Sequence, residues 1–322
     1  VKTQTLFSRN SPLGAPLKVI RQTFSAHQGK PARRLSFVSG LHGDEMEGLY
    51  LCHRLIQALR RIKDTRPEEF LGEVHVYPAA NPAALNHGTR LWPFYGSDMN
   101  RMMGPHPGKS LPVQLAQEVF DDIQEHSDMA VDIHASNLHL NELPQIRIIE
   151  EFGEELLPLA RQTHTGIIWI HPMAGVFEST LGYNLNKLGI PTLVIETGIC
   201  LRIEPETVDR LFQGMMHLLV EQGVLASLPE GIPALPASRV VYPGEVAQAC
   251  AKHSGLFISR AHLGQPVGED QIIGQVVDPV AGVVLEQVTA PGTGLLFTLR
   301  EQPVVHAGAL LARVARDLEP RP

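Results

Sequence analysis

Apolar positions along the first two-thirds of the chain follow two alternating periods, and the alternation predicts the elements. Residues 16–39 read as two strands, the second (33–39, RRLSFVS) stopping at Gly40. From 44 to 60 the spacing becomes helical, with Met46, Leu49, Tyr50, His53, Leu55, Ile56 and Leu59 on one broad face. A short strand (73–77, EVHVY) ends at Pro78, and a helix is predicted over 111–126 and a strand over 129–133. A further strand covers 166–170, and a helix over 179–188 is closed by Gly189. The nearly all-apolar run 191–195 (PTLVI) suits a strand buried on both faces, and helical spacing returns over 206–222. Between Asn81 and Ser110 neither period holds, and Gly, Pro and Asn are frequent. Irregular stretches of that length are uncommon in compact domains unless they carry function.

Strands alternating with helices argue for an α/β domain on a mixed central sheet flanked by helices, with function gathered at the carboxyl ends of the strands. The pattern changes near Leu225. The stretch LASLPEGIPALPAS carries three prolines and reads as a linker. Beyond it, 239–314 is a series of short β-type runs separated by Gly and Pro. Two domains are therefore expected, 1–230 and 238–322, the second small and all-β. Within the second, LGQPVGEDQIIGQV and REQPVVHAGALLARV share a Gln-Pro-Val turn, a bend and an apolar strand, which suggests an internal duplication.

Composition narrows the function classes. The 322 residues are 43% hydrophobic and 19% charged, with a net charge of −7. An acidic chain without a Lys/Arg-rich run is a poor binder of nucleic acid or anionic membrane through charge alone. No apolar run approaches the length of a membrane span, and the opening VKTQTLFSRNSPLG lacks a signal-peptide core. A leader already removed is compatible with a chain that begins at Val1. Three dispersed cysteines, Cys52, Cys200 and Cys250, favour a reducing compartment, hence the cytoplasm, over a disulfide framework.

Candidate chemistry centres on Gly40-Leu41-His42-Gly43-Asp44-Glu45, at the end of a strand and the start of a helix. His-x-x-Glu alone is weak, and it recurs at His139 and Glu142. Context separates the two. His134 directly follows the strand MAVDI, and Asp132, two residues earlier, leaves that strand on the same face. A carboxylate so placed suits fixing the tautomer of a ligating imidazole. His42, Glu45 and His134 make three protein ligands with an open fourth position, the pattern of catalytic rather than structural zinc. The rival cluster, His134 with His139 and Glu142, lies on one short loop without a framework.

The ordered set His42-Gly43-Asp44-Glu45, Asn81-Pro82, Gly88-Thr89-Arg90, Asp98-Met99-Asn100-Arg101, Asp132-Ile133-His134 and Glu196-Thr197-Gly198 resembles the succinylglutamate desuccinylase/aspartoacylase family, relatives of the zinc carboxypeptidases. The resemblance covers roughly 35–200 and implies a zinc carboxypeptidase-like α/β fold. It implies one zinc ion on His42, Glu45 and His134, Glu196 as general base and acid, and Arg90 as oxyanion stabiliser. Asn100 and Arg101 would grip a substrate carboxylate. The reaction implied is hydrolysis of the amide of a small carboxylate-bearing N-acyl amino acid or related amine. Two departures stand out: the segment between Arg90 and Asn100 is longer than in aspartoacylase, and Met102-Met103-Gly104 replaces the usual x-Phe-Pro-Gly. Arg147 is expected to be paired structurally rather than to bind substrate. The C-terminal domain resembles biotinyl/lipoyl barrel sandwiches, but no Lys follows Lys252, so a swinging-arm role is excluded. That domain is expected to border the active-site entrance or to form a subunit contact, and a homo-oligomer is compatible with it. Alternatives are a metallocarboxypeptidase acting on short peptides and a non-catalytic metal-binding protein. The latter would be marked by loss of a ligand or of the base, and all four are present.

Overall fold

A computed structural model of the chain describes residues 1–10 and 14–317. Residues 11–13 and the end of the expected second domain, 318–322, lie outside the described residues. The elements of the first part are β1 (Lys2–Asn10), β2 (Pro16–Phe24), β3 (Arg34–Ser39), α1 (Met46–Thr65), β4 (Glu73–Tyr77), α2 (Pro82–His87) and α3 (Leu111–His126). They continue with β5 (Met129–Ala135), β6 (Leu140–Ile149), α4 (Gly153–Arg161), β7 (Ile167–His171), α5 (Leu181–Lys187), β8 (Thr192–Gly198) and α6 (Pro205–Glu221). The sheet runs β1-β2-β4-β3-β5-β8-β6. Its centre, from β4 through β3 and β5 to β8, is parallel, while β2 and β6 pair antiparallel at either side.

Strand alternation sends successive side chains to two cores. On one face Phe37, Val131 and Ile195 pack against Leu51, Leu55 and Leu59 of α1 and Leu211, Met215 and Leu219 of α6. On the other, Val38 and Ala130 meet Leu115 and Val119 of α3 and Leu181 and Leu185 of α5. The mixed α/β sheet flanked by helices is thus as expected. α1 starts at Met46, two residues after the expected start at 44, because Glu45 occupies its N-cap position, and it runs on to Thr65.

Four elements were not expected, one of them α2, which lies inside the stretch 81–110 read as irregular; the other three carry weak patterns. β1 buries only Phe7 fully, so it has no apolar alternation to read. β6 contains Pro144, which argues against a strand, and the structure accommodates it with a register irregularity between Glu142 and Gln145. α4 opens on Gly153 and holds Pro158 in its interior, two helix-disfavouring residues in nine.

The remaining strands are β9 (Arg239–Val241), β10 (Val246–Cys250), β11 (Gly255–Ser259), β12 (Pro266–Val267), β13 (Ile272–Asp278), β14 (Val283–Thr289), β15 (Gly294–Arg300), β16 (Val304–Val305) and β17 (Leu310–Arg316). They form an all-β part in two sheets enclosing a core of Phe257, Ile273, Val276, Leu296, Leu311 and Val314. One sheet is β14-β13-β11-β16, and the other, β15-β17-β10, continues the main sheet through β6 to make thirteen strands. The two look-alike segments occupy matching places. Each contributes a two-residue strand (β12, β16) to one sheet and a seven-residue strand (β13, β17) to the other, with the sheets exchanged.

Away from the strand ends, the outer strands bury a polar cluster. Arg21 pairs with Asp122 at 2.8 Å, the Tyr77 hydroxyl donates to Asp122, and His75 Nδ1 lies 3.1 Å from Thr23 Oγ1. Burial, followed by the positive charges of Arg21 and His126, pushes the His75 pKa from 6.5 down to about 3. An unfolded His75 takes a proton below 6.5 and the native one only near 3, so acidification between those values favours unfolding. His75→Gln, which cannot take that proton, should narrow the gap between urea midpoints measured at pH 7 and at pH 4.5, whatever its effect at pH 7. An unchanged gap would show that His75 does not contribute to the acid limb.

Candidate active site

The turn after β3 positions the first two candidate ligands. Gly40 has φ +73°, a left-handed conformation that glycine adopts without strain. Gly43 packs so closely on the backbone of Ala84 that a Cβ would overlap it. Asn81 ties the neighbouring strand-end loops together. Its amide donates to Leu41 O at 3.1 Å, and its Oδ1 accepts from Ala84 N at 3.1 Å, capping α2. His42 therefore projects from a braced turn, with Glu45 three residues on at the N-cap of α1. His134 comes from β5 in direct register with Glu196 of β8, and Asp132 faces the same way one step earlier.

Glu45 is the hub. Its Oε1 lies 2.7 Å from His42 Nδ1 and its Oε2 2.9 Å from His134 Nδ1. The three residues are 2%, 2% and 3% exposed, in the order His42, Glu45, His134, and one ligand atom from each falls within 4.8 Å of the others. Burial alone would raise the Glu45 carboxyl, but the two imidazoles outweigh it and hold the pKa at about 2. Burial likewise pulls both imidazoles down, yet Glu45, with Asp98 for His42 and Asp132 for His134, holds them above their ordinary value. The arrangement stabilises positive charge between the three side chains. Two imidazole nitrogens and a carboxylate form a donor set that fits a divalent transition metal.

The surroundings fit the same use. The buried Asp132 carboxylate has no hydrogen-bond partner and meets His134 Nε2 only as a 3.0 Å ion-pair contact. The Asn100 amide also approaches that nitrogen, at 3.3 Å. One ring nitrogen cannot both donate to Asp132 and accept from Asn100. A proton on Nε2 satisfies Asp132 and leaves Nδ1 free as a ligand. A second group, Asp44, Glu45 and Cys200, also lies close. Burial pushes the Cys200 thiol up, and it donates to Ser136 O at 2.9 Å, so it is a protonated thiol and a poor ligand.

All seven residues singled out in the sequence, His42, Glu45, His134, Glu196, Arg90, Asn100 and Arg101, line one cavity of about 390 Å³. Burial raises the Glu196 carboxyl despite Arg147 and His134 nearby, which suits a proton carrier. Arg90 reaches Glu45 at 3.2 Å and Asp98 at 3.4 Å. Asn100 Oδ1 accepts from Leu181 N at 2.8 Å, and Arg101 donates to Asn100 O without forming an ion pair among the described residues. The rival ligands do not gather. Glu142 is held by Arg147, Arg313, Gln145 and Thr298, at 2.7, 2.7, 2.9 and 3.2 Å.

Some residues of the site went unassigned in the sequence. Asp98 Oδ1 sits 2.9 Å from His42 Nε2, the counterpart of Asp132, and its place at the head of Asp-x-Asn-Arg was an available signal. Arg147 is paired as expected, to Glu142 and at 3.4 Å to Glu196, but it also lines the cavity. Arg313, from β17, lines it too, and no local pattern pointed there.

Solved structures share this architecture. A succinylglutamate desuccinylase/aspartoacylase from Rhodobacter sphaeroides superposes with a TM-score of 0.79 at 22% identity, covering 98% of this chain and 96% of that one. A metallo-carboxypeptidase from Burkholderia cenocepacia gives 0.53 at 15% identity over 69% of this chain and 64% of its own. The fold is a carboxypeptidase-like α/β scaffold. The chain belongs to the succinylglutamate desuccinylase/aspartoacylase family, whose catalytic-domain sequence model matches residues 31–221. It is also 25% identical over 287 residues to the N-alpha-acetyl-L-2,4-diaminobutyric acid deacetylase of Halomonas elongata, covering 87% of this chain and 81% of that protein.

Asp132→Asn tests the reading of the buried carboxylate. It should weaken binding of a divalent transition metal about 10–100-fold, measured by competition with a chelating dye. Unchanged affinity would leave Asp132 without a role at the ligand.

Proposed function

We propose that this chain is a zinc-dependent deacylase that hydrolyses the amide bond of a small N-acyl amino acid to a carboxylic acid and a free amine. One observation carries the reading. A buried His-Glu-His donor set, a carboxylate in register beside it and an unpaired arginine share one small cavity. The family and the deacetylase relative support the reaction type.

His42, Glu45 and His134 would hold the ion, and the borderline-soft nitrogen and carboxylate set favours zinc. When bound, zinc supplies Lewis acidity and brings the pKa of water beside it to about 7. Glu196 takes a proton from the attacking water as its oxygen adds to the carbonyl carbon, and returns it to the leaving nitrogen, so that the amide C–N bond breaks as the carbonyl re-forms. Arg90 faces the developing oxyanion. Arg101, which forms no ion pair among the described residues, binds the substrate carboxylate together with the Asn100 amide. The cavity volume suits a small molecule rather than a polymer.

The proposal treats 1–230 as the catalytic domain and 238–322 as a β domain that supplies Arg313 to the cavity wall. It extends to a cytoplasmic setting, supported by three free cysteines. No helix among the described residues is long and apolar enough to cross a membrane.

Glu196→Gln should keep zinc at wild-type stoichiometry while kcat falls at least about 10²–10⁴-fold. Full turnover in that variant, with metal content checked, rules out its role. Arg101→Met should lower kcat/KM chiefly through KM, by about 1.5–3 kcal/mol for the lost charge-assisted bonds. A fall confined to kcat would contradict carboxylate anchoring.

A further inference from the structure

We infer that the part of the cavity remote from the metal ligands is a specificity chamber for the amino-acid side chain of the substrate, and that it takes a large apolar or aromatic group rather than a charged one. The inference rests on the deacylase reading and names its substrate class.

Strand register lays the floor. Glu196 and Val194 leave β8 on one face, and Arg147 of β6 stands opposite Val194. The next β6 residue on that face is Ile149, which pairs with His171 of β7. Two residues back from Glu196 the floor is thus Val194, flanked by Arg147 and Ile149 of β6, with Thr192 beyond it. Phe152, Leu156, Phe177 and Tyr183 line the same cavity. The Phe152 and Tyr183 rings pack edge to face with centroids 5.7 Å apart. α5 lies against the floor at Gly182, where a Cβ would come within 2.6 Å of Val194.

The charges that reach this chamber are already engaged. Arg147 pairs with Glu142 at 2.7 Å and with Glu196 at 3.4 Å, and its guanidinium lies 5.5 Å from the centre of the Trp169 ring. Glu142 in turn pairs with Arg313 at 2.7 Å. Burial, and then Arg147, lowers the His171 pKa and so disfavours its charged form, and its ring centre lies 5.0 Å from that of Phe177. A carboxylate entering here would compete with Glu142 and Glu196 for Arg147, and an ammonium would compete with Arg147 and Arg313 for Glu142, each losing its hydration, whereas an apolar group gains from the same surface.

The position of the anchor says which half of the substrate enters. Asn100 is bound to Leu181 N at the start of α5, the helix whose Gly182 and Tyr183 line the chamber. In an N-acyl amino acid the carboxylate and side chain share one carbon. A carboxylate held at Asn100 and Arg101 therefore turns the side chain toward α5, and the acyl group toward Arg90, whose side chain is 40% exposed.

The test uses the full chain with its zinc content measured. N-acetyl-phenylalanine, -leucine and -methionine are compared with N-acetyl-aspartate and -glutamate and with N-acetyl-lysine and -ornithine. The apolar set should exceed both charged sets in kcat/KM by at least about tenfold. Phe177→Ala should lower the value for N-acetyl-phenylalanine more than for N-acetylglycine, with thermal unfolding as the check on folding. A preference for acidic or basic substrates overturns the chamber and leaves the deacylase reading standing. If no amide is cleaved, that reading fails by itself. Calorimetric binding of N-acetyl-phenylalanine against N-acetyl-aspartate then decides the chamber, and equal or reversed affinity overturns it.

Discussion

A single carboxylate, that of Glu45, lies buried between two buried imidazoles, within 2.9 Å of each. Three ionisable groups withdrawn from water are tolerable only if each is held against the others with good geometry. The local structure serves that demand. A left-handed glycine turns the chain out of β3, a second glycine lets the turn lie on α2, and Asn81 fastens the two loops. Glu45 itself stands at the N-terminus of α1, where the exposed N–H groups favour negative charge.

From that hub the sheet transmits position by register alone. His134 and Glu196 are neighbours because β5 and β8 run parallel in a fixed alignment, and Arg147 joins them because β6 runs antiparallel beside β8. Charges then alternate outward, Glu196 to Arg147, Arg147 to Glu142, Glu142 to Arg313. The last step crosses into the β part, so the wall of the cavity is completed from a distant stretch of chain.

Much of this was legible beforehand. Glycine-punctuated strands, an apolar helical face and a strongly apolar β8 betrayed the α/β core, and motif order gathered seven cavity residues from segments far apart in sequence. What escaped did so for identifiable reasons. β1 has almost no buried face, and β6 carries a proline that the bulge absorbs. Arg313 belongs to an ordinary alternating strand, and only the pairing of β15 with β6 brings it to the site. Periodicity reports which face of an element is buried, not which element it will lie beside.

That pairing has a consequence for the molecule as a whole. Thr298, Leu299 and Arg300 of β15 lie on Glu142, Asn141 and Leu140 of β6. A chain that ended at the proline-rich linker would leave that segment's N–H and C=O groups bare. A bare strand edge invites another chain to pair with it, and Glu142 would lose its Thr298 and Arg313 donors at the same time. The carboxy-terminal strands thus cover an edge of β6 as well as completing the cavity wall.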